Sequence, residues 1–272
     1  MSALDRWREE LGSWAIPQPI LDAAPESPYG FPVAPFRARG EALARVEPTP
    51  TTRSALDALP QGGRVLDVGC GGGATSLPLA ARAGVVIGVD AQEDMLEGFQ
   101  ANARAAGVAA ETVHGRWPDA AERVETVDVA MAGHVLYNVG ALAPFVRALA
   151  AVARSRVVLE ITASHPLHWM NDLWLRFHDL RRPDGPDAGD AVAALTDLGF
   201  EPEVESWTSQ SRAGGFERRS DALALVRHRL CLDASLDREL ETALGDRLTQ
   251  VDGRWSAGPP GGSALVTIRF DP

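Results

Sequence analysis

The chain contains no lysine: all 26 basic residues among its 272 are arginine. That excludes Schiff-base chemistry on a lysine, the usual pyridoxal-phosphate anchor included. It also excludes a phosphate-cradling P-loop and kinase machinery, which need a lysine at the phosphates. Cysteine is almost as scarce, and Cys70 and Cys231 cannot build a disulfide framework. No uninterrupted apolar run reaches the roughly 18 residues of a membrane span. Asp5, Arg6, Arg8, Glu9 and Glu10 break the stretch where a signal peptide would need an apolar core. A soluble, cytoplasmic protein with no membrane partner is therefore expected. Positive charge is in deficit, with 37 acidic residues against 26 arginines and a net charge of −11. The basic footprint of a nucleic-acid-binding protein is absent at the whole-chain level, so RNA and DNA are not expected partners. What is present, 45% hydrophobic and 23% charged residues, is ordinary for a globular chain with material for a sizeable core.

Residues 1–50 form an irregular arm. A short amphipathic helix around Leu4, Trp7 and Leu11 is followed by Pro17, Pro19, Pro25, Pro28, Pro32 and Pro35, which forbid a long helix. Ile20, Leu21, Tyr29, Phe31, Val33 and Phe36 are interleaved with the prolines, a composition unlike a disordered tail. The arm is expected to pack on the domain, either simply as packing or as a lid.

From Thr51 the pattern alternates. A helix over Thr51–Leu59 precedes a short buried strand, Arg64–Val68, and then the run Gly69-Cys70-Gly71-Gly72-Gly73. A helix is predicted over Ala74–Ala83, a strand over Val85–Val89 ending at Asp90, a helix over Gln92–Ala106 and a strand over Glu111–His114. Val127–Ala132, a helix over Ala141–Ala153 and Arg156–Thr162 continue the alternation. Such spacing indicates βαβ units and a doubly wound, Rossmann-like parallel sheet whose ligand crevice lies at the carboxyl ends of the strands. After Thr162 the pattern loosens: helices are predicted over His165–Leu180, Asp190–Leu198, Ser220–Leu230 and Leu236–Leu248, and strands over Glu201–Trp207 and Ala264–Phe270, with a loop over Gly258–Gly262. A second domain is not required. The reading is a domain over 51–272 with helical insertions at about 165–182 and 218–250.

The glycines between strand and helix let a ligand approach the backbone, and a helix start there would offer free N–H groups. Asp90 stands 21 positions after Gly69, at the end of the next strand, where a carboxylate accepts bonds from ribose hydroxyls. Two ligands fit, a dinucleotide and S-adenosylmethionine. Gly69-x-Gly71-x-x-Ala74 formally satisfies the dinucleotide fingerprint. Asp67, two residues before Gly69, would oppose a pyrophosphate and would suit a ligand carrying an ammonium and a sulfonium.

With these residues the sequence resembles the class I S-adenosylmethionine-dependent methyltransferases. Asp67-Val68-Gly69-Cys70-Gly71-Gly72-Gly73 is similar to that family's first motif, and Gly88-Val89-Asp90-Ala91 to its second. The resemblance places the adenine near Gly115-Arg116-Trp117-Pro118 and the fourth motif at Val127–Tyr137. It implies a seven-stranded, mostly parallel sheet with helices on both faces and an antiparallel last strand, which Ala264–Phe270 could supply. It implies cofactor contacts from Asp67, Gly69, Cys70, Gly71, Gly73, Asp90, Ala91, Arg116, Trp117 and His134. One departure stands out: where an acidic side chain commonly holds the adenine amino group, Arg116 cannot accept that bond.

His134 and Tyr137 follow the fourth strand at its carboxyl end and are the candidate catalytic residues. His134 reads equally as a wall beside the cofactor or a structural histidine. His165, His168 and His178 lack a compact fourth ligand, so no metal is expected. The stripe of Trp169, Met170, Trp174 and Phe177 is core by default, although the family often builds its acceptor pocket in this region. The expected function is S-adenosylmethionine-dependent methyl transfer to a small-molecule acceptor by in-line displacement. An NAD(P)-dependent oxidoreductase and a non-catalytic S-adenosylmethionine-binding module are the alternatives, and a homodimer is left open.

Overall fold

A computed structural model describes residues 1–29, 48–209, 215–251, 253–259 and 262–272. The expected packing of Phe31, Val33 and Phe36 lies outside the described residues, as does part of the loop expected at 258–262.

Seven strands form one sheet: β1 (Gly63–Val68), β2 (Ala83–Asp90), β3 (Ala109–His114), β4 (Val127–Gly133), β5 (Ala153–Thr162), β6 (Glu203–Ser209) and β9 (Ser263–Phe270), in the order β3-β2-β1-β4-β5-β9-β6. The first five pair in parallel. β9 runs antiparallel between β5 and β6. It is the antiparallel last strand that the family resemblance implies. A separate hairpin, β7 (Leu248–Val251) with β8 (Arg254–Ala257), lies outside this sheet.

Alternate residues of each strand face opposite sides, so the strands feed two cores. Leu66, Val68, Ile87, Val89, Val157, Leu159 and Ile161 pack on one side. They meet α1 (Ala3–Gly12) through Trp7, α5 (Leu142–Val152) through Phe145 and Leu149, and α7 (Ala188–Asp197) through Ala191 and Leu195. Val65, Val86, Val129, Met131 and Val158 pack on the other side, against α3 (Pro50–Ala58) and α4 (Glu93–Ala106) through Ala55, Phe99 and Ala103. A third cluster joins α6 (Asn171–His178), α8 (Arg219–Arg229) and α9 (Asp237–Leu244) around Trp174, Val226 and Leu240, with α2 (Gln18–Ala23) packed on it through Ile20 and Leu21.

Local chemistry sets the element ends. Ser2 caps α1 by accepting from Asp5 N, Thr49 caps α3 by accepting from Thr52 N, and Asp187 and Asp190 form a capping box on α7. Gly107, at φ +75°, ends α4 in the left-handed conformation that glycine adopts without strain.

Three predicted helices are corrected. Ala74–Ala83 is a turn with one 3₁₀ segment at Leu77–Leu79. Pro78 removes a donor there and disfavours the helical conformation of Leu77, and the Ser76 hydroxyl is committed to Asp67. The helix predicted from His165 begins only at Asn171, after a 3₁₀ turn. The helix predicted over Leu236–Leu248 ends at Leu244, and Leu248 opens β7.

Candidate active site

β1 and β4 are neighbours in the sheet, but their onward connections lead to opposite sides, towards β2 and β5, so their carboxyl ends open a crevice. The loop after β1 is wedged into it. Gly69, Gly71 and Gly73 hold φ of +68°, +49° and +83°, a region in which a side chain is strained. A Cβ on Gly69 would stand 2.5 Å from Val135 Cγ2, so the loop presses against the turn after β4. Asn102 on α4 fixes the loop from behind by donating to the Gly72 carbonyl at 2.8 Å.

Asp90 ends β2 beside this loop. One oxygen accepts from Gly71 N and the other from Gln92 N, both at 3.0 Å. Each oxygen retains a further lone pair for a ribose hydroxyl. Ala91 follows, its carbonyl 3.1 Å from His114 Nε2. Gly115 N donates to the Asp90 carbonyl at 2.9 Å, which brings Gly115–Pro118 alongside. The Arg116 side chain is exposed and its carbonyl accepts from Ala120 N. Trp117 is half-buried, with its indole N–H on the Phe145 carbonyl at 3.1 Å.

Asp67, at the end of β1, is 1% exposed. One oxygen accepts from Ser76 Oγ at 2.6 Å, and the other, Oδ1, is buried without a partner. Burial above all, with Asp90 and Glu160 adding repulsion against the Ser76 bond, pushes its pKa up to about 7. Three carboxyls thus interact around one crevice, and an orphaned acceptor is buried among them. That is the donor-poor environment a cationic ligand completes.

Cys70 and Tyr137 are both tied into the fold. The Cys70 N–H bonds Val89 O, its carbonyl accepts from Gly73 N, and its thiol packs under Gly88 and Phe99. Burial raises that thiol's pKa well above the ordinary value. Cys70 therefore shapes the loop. Tyr137 is 6% exposed; its hydroxyl donates to the Thr162 carbonyl at 2.8 Å and its ring stacks on Trp7. Burial raises its pKa too, so the phenol keeps its proton at neutral pH and donates it to the Thr162 carbonyl.

His134 lies in the crevice turn with φ +60°. Its Nε2 is 3.0 Å from Glu160 Oε1, and its backbone N–H donates to the Glu160 carbonyl at 2.7 Å. Glu160, on β5, was not picked out by motif or spacing. Its other oxygen accepts from Thr51 Oγ1 at 2.5 Å, in the first turn of α3, and Thr51 Oγ1 is 2.8 Å from Thr267 Oγ1 on β9. Trp207 Nε1 closes the chain of bonds by donating to Thr267 Oγ1 at 3.1 Å. The signal was an acid inside the apolar run Val157–Ile161, a strand buried on both faces. Ser76 and Asn102 carried no signal, because their roles depend on where the loop and α4 meet.

The three histidines beyond β5 take separate partners. His165 Nδ1 accepts from Leu167 N, His168 lies 3.3 Å from Asp184, and His178 Nε2 is 2.6 Å from the Leu230 carbonyl.

The sequence profile of the family described as "Methyltransferase domain" matches residues 65–156. A ubiquinone biosynthesis O-methyltransferase of Rhizobium etli is 33% identical over 167 residues, 54% of this chain and 67% of that protein. The chain belongs to the class I S-adenosylmethionine-dependent methyltransferases. The homonymous protein of Azorhizobium caulinodans is 36% identical over 87 residues, and this match spans only 34% of its length. Two solved structures share the methyltransferase fold. An S-adenosylmethionine-dependent methyltransferase from Geobacter sulfurreducens, in complex with S-adenosyl-L-homocysteine, is 21% identical with a TM-score of 0.52, covering 87% of this chain and 97% of that one. A cyclopropane-fatty-acyl-phospholipid synthase-like protein from Lactobacillus casei is 16% identical with a TM-score of 0.52, covering 97% and 99%. S-adenosylmethionine is the cofactor of this family, and the crevice of this methyltransferase fits it: glycine backbone at the loop, Asp90 for hydroxyls and buried carboxyls for positive charge. Among the described residues, no helix is long and apolar enough to cross a membrane.

Proposed function

We propose that this chain transfers the methyl group of S-adenosylmethionine to a small-molecule acceptor. The observation that carries the reading is the buried, unpartnered Asp67 oxygen beside Asp90 and Glu160 under the glycine loop. A pyrophosphate would be repelled there, which disfavours a dinucleotide. The R. etli relative's name as an O-methyltransferase supports oxygen as the acceptor atom.

When bound, the cofactor supplies a methyl carbon already activated by a sulfonium. The chain's own residues position and exclude. Asp90 would hold the ribose hydroxyls, the Gly69–Gly73 backbone would let the ligand lie close, and Asp67 would face its positive charge. His134 lies in the adjoining turn. Such alignment is worth on the order of 7–11 kcal/mol of the barrier. Trp7 of α1 is fully buried in the main core, and α3 delivers Thr51 to Glu160.

Mass spectrometry of the ligand that copurifies, followed by calorimetry with S-adenosylmethionine and with NAD, tests this reading. Binding of the former alone is expected. Binding of NAD alone would overturn it.

A further inference from the structure

We infer that Arg116 sets the base specificity of the nucleoside end of the crevice, which reads a purine through its ring acceptors and leaves the 6-amino group unread. The inference rests on the methyl-transfer reading above and concerns the end of the cofactor remote from the methyl. A ribose held on Asp90 would carry its base one glycosidic bond away, so the base falls to the segments that adjoin Asp90. These are Ala91 and Gln92, which follow it, and the exit of β3 at His114–Trp117. His114 pairs with Asp90 across the β2–β3 ladder, and Gly115 N donates to the Asp90 carbonyl at 2.9 Å.

The hydrogen-bonding groups of these segments are one-sided. Backbone acceptors are already engaged: Gln92 O takes Met95 N, Arg116 O takes Ala120 N, and His114 O takes Arg123 Nη2 at 2.9 Å. Ala91 O lies 3.1 Å from His114 Nε2. Arg123 also covers Gly115, where a Cβ would stand 2.5 Å from its Nη2, so a second guanidinium flanks the exit. Donors, in contrast, are spare. Among the described residues, the Arg116 guanidinium has no carboxylate partner, and the backbone N–H groups of Arg116 and Trp117 have no acceptor. An amino group is itself a donor and gains nothing from more donors, whereas the ring nitrogens N1, N3 and N7 of a purine accept. A guanidinium fork also pairs with O6 and N7 of a 6-oxopurine. The side-chain acceptors that belong to these segments are Gln92 and Asp119, both exposed, and they serve as controls below.

The test is calorimetry with three probes: S-adenosylhomocysteine, its analogue lacking the 6-amino group, and its 6-oxo (hypoxanthine) analogue. The parent protein is expected to bind the first two within about threefold of each other, less than one net hydrogen bond is worth, and to retain the 6-oxo form. Arg116→Asp supplies the missing acceptor. It should prefer S-adenosylhomocysteine over the analogue without the amino group by about tenfold or more, as a bond to a charged group does, and should reject the 6-oxo form. Arg116→Ala should weaken the 6-oxo form most. Gln92→Ala and Asp119→Ala should leave the parent's ratios unchanged. Circular dichroism verifies that each variant is folded, which the exposure of the Arg116 side chain favours. A parent that loses tenfold or more with the amino group, an Arg116→Asp variant with parental ratios, or a control variant that alters them would overturn the inference. Failure of S-adenosylmethionine and S-adenosylhomocysteine to bind at all would instead overturn the methyl-transfer reading.

Discussion

Asp67 carries the sharpest conflict between stability and binding in this protein. Its carboxyl is raised to about 7, chiefly by burial, against an ordinary value of 3.8. A group raised on folding contributes stability that is complete below its unfolded pKa and lost as pH rises through the folded one. The window is therefore about pH 4 to 7, and ionised Asp67 costs on the order of 4 kcal/mol above it. Asp67→Asn keeps the shape and the Ser76 bond but removes the charge. It should melt higher than the parent protein at alkaline pH, with the gap closing towards acid. The same variant should bind S-adenosylmethionine more weakly, and the parent's affinity should fall as pH drops below about 7, because a cation favours the ionised carboxylate. Calorimetry across that range reads both effects, and a pH-independent affinity would remove Asp67 from the cofactor site. Asp90 gives a simpler result. Asp90→Ala should weaken cofactor binding by about tenfold or more, since each charge-assisted bond to a hydroxyl is worth about 1.5–3 kcal/mol. Circular dichroism should stay native.

At the scale of elements, the join between the sheet and the helical cluster runs through His165. Its ring stacks on Trp14 with centroids 3.6 Å apart and meets Tyr137 edge-on. Arg182 lies over Trp14 and Trp174 and donates to the Trp14 and Ala15 carbonyls. Burial first, then the positive charges of Arg182 and His168, pulls the His165 pKa down to about 3. A depressed histidine contributes stability that is present above about pH 6.5 and lost as pH falls towards the folded value. This join should therefore loosen in acid before the sheet does. Trp14 fluorescence should change between about pH 6 and 4, and His165→Leu should flatten that change. A parent protein whose indole signal is flat across that range would show that the Trp14–His165 join does not loosen in acid.

The same scale shows what could be read from sequence. The parallel strands announced themselves, because a strand buried on both faces is a nearly unbroken apolar run: Val85–Val89 needs no alternation to be recognised. The glycine loop and Asp90 were legible because their spacing is local. The helix over Ala74–Ala83 was misread because Ala and Leu favour helix, whereas Pro78 and the Ser76–Asp67 bond outweigh that preference. The β7–β8 hairpin was missed because Leu248 continues the apolar spacing of α9, and only its pairing with Ala257 turns it into a strand. The Glu160 network was illegible for a different reason. Its members are contributed by α3, the turn after β4, β5, β6 and β9, and nothing short of the sheet order brings them together.

On the scale of the whole molecule, α1 is an integral part of the core. Trp7 is fully buried, its indole donates to the Val139 carbonyl, and its ring stacks on Tyr137. Trp7→Ala should cost about 3–5 kcal/mol, the range for truncating a large buried ring. A single denaturant transition shifted to lower midpoint is expected, and an unchanged midpoint would place α1 outside the cooperative unit. Removing residues 263–272 should be far worse. It opens the edges of β5 and β6 at once and deprives Glu160 of the Thr51–Thr267 brace. No cooperative melt should survive.

The position of β9 also has a consequence in time. It is synthesised after every other strand of the sheet, yet it lies between two of them. While a ribosome is still translating residue 260, the five parallel strands already exist, but β5 has a bare edge and β6 has nowhere to dock. A nascent chain can thus assemble its glycine loop and Asp90 early and acquire Thr267 only late. Cofactor capture and a fully braced His134 would then be separate events in the birth of each molecule, in that order.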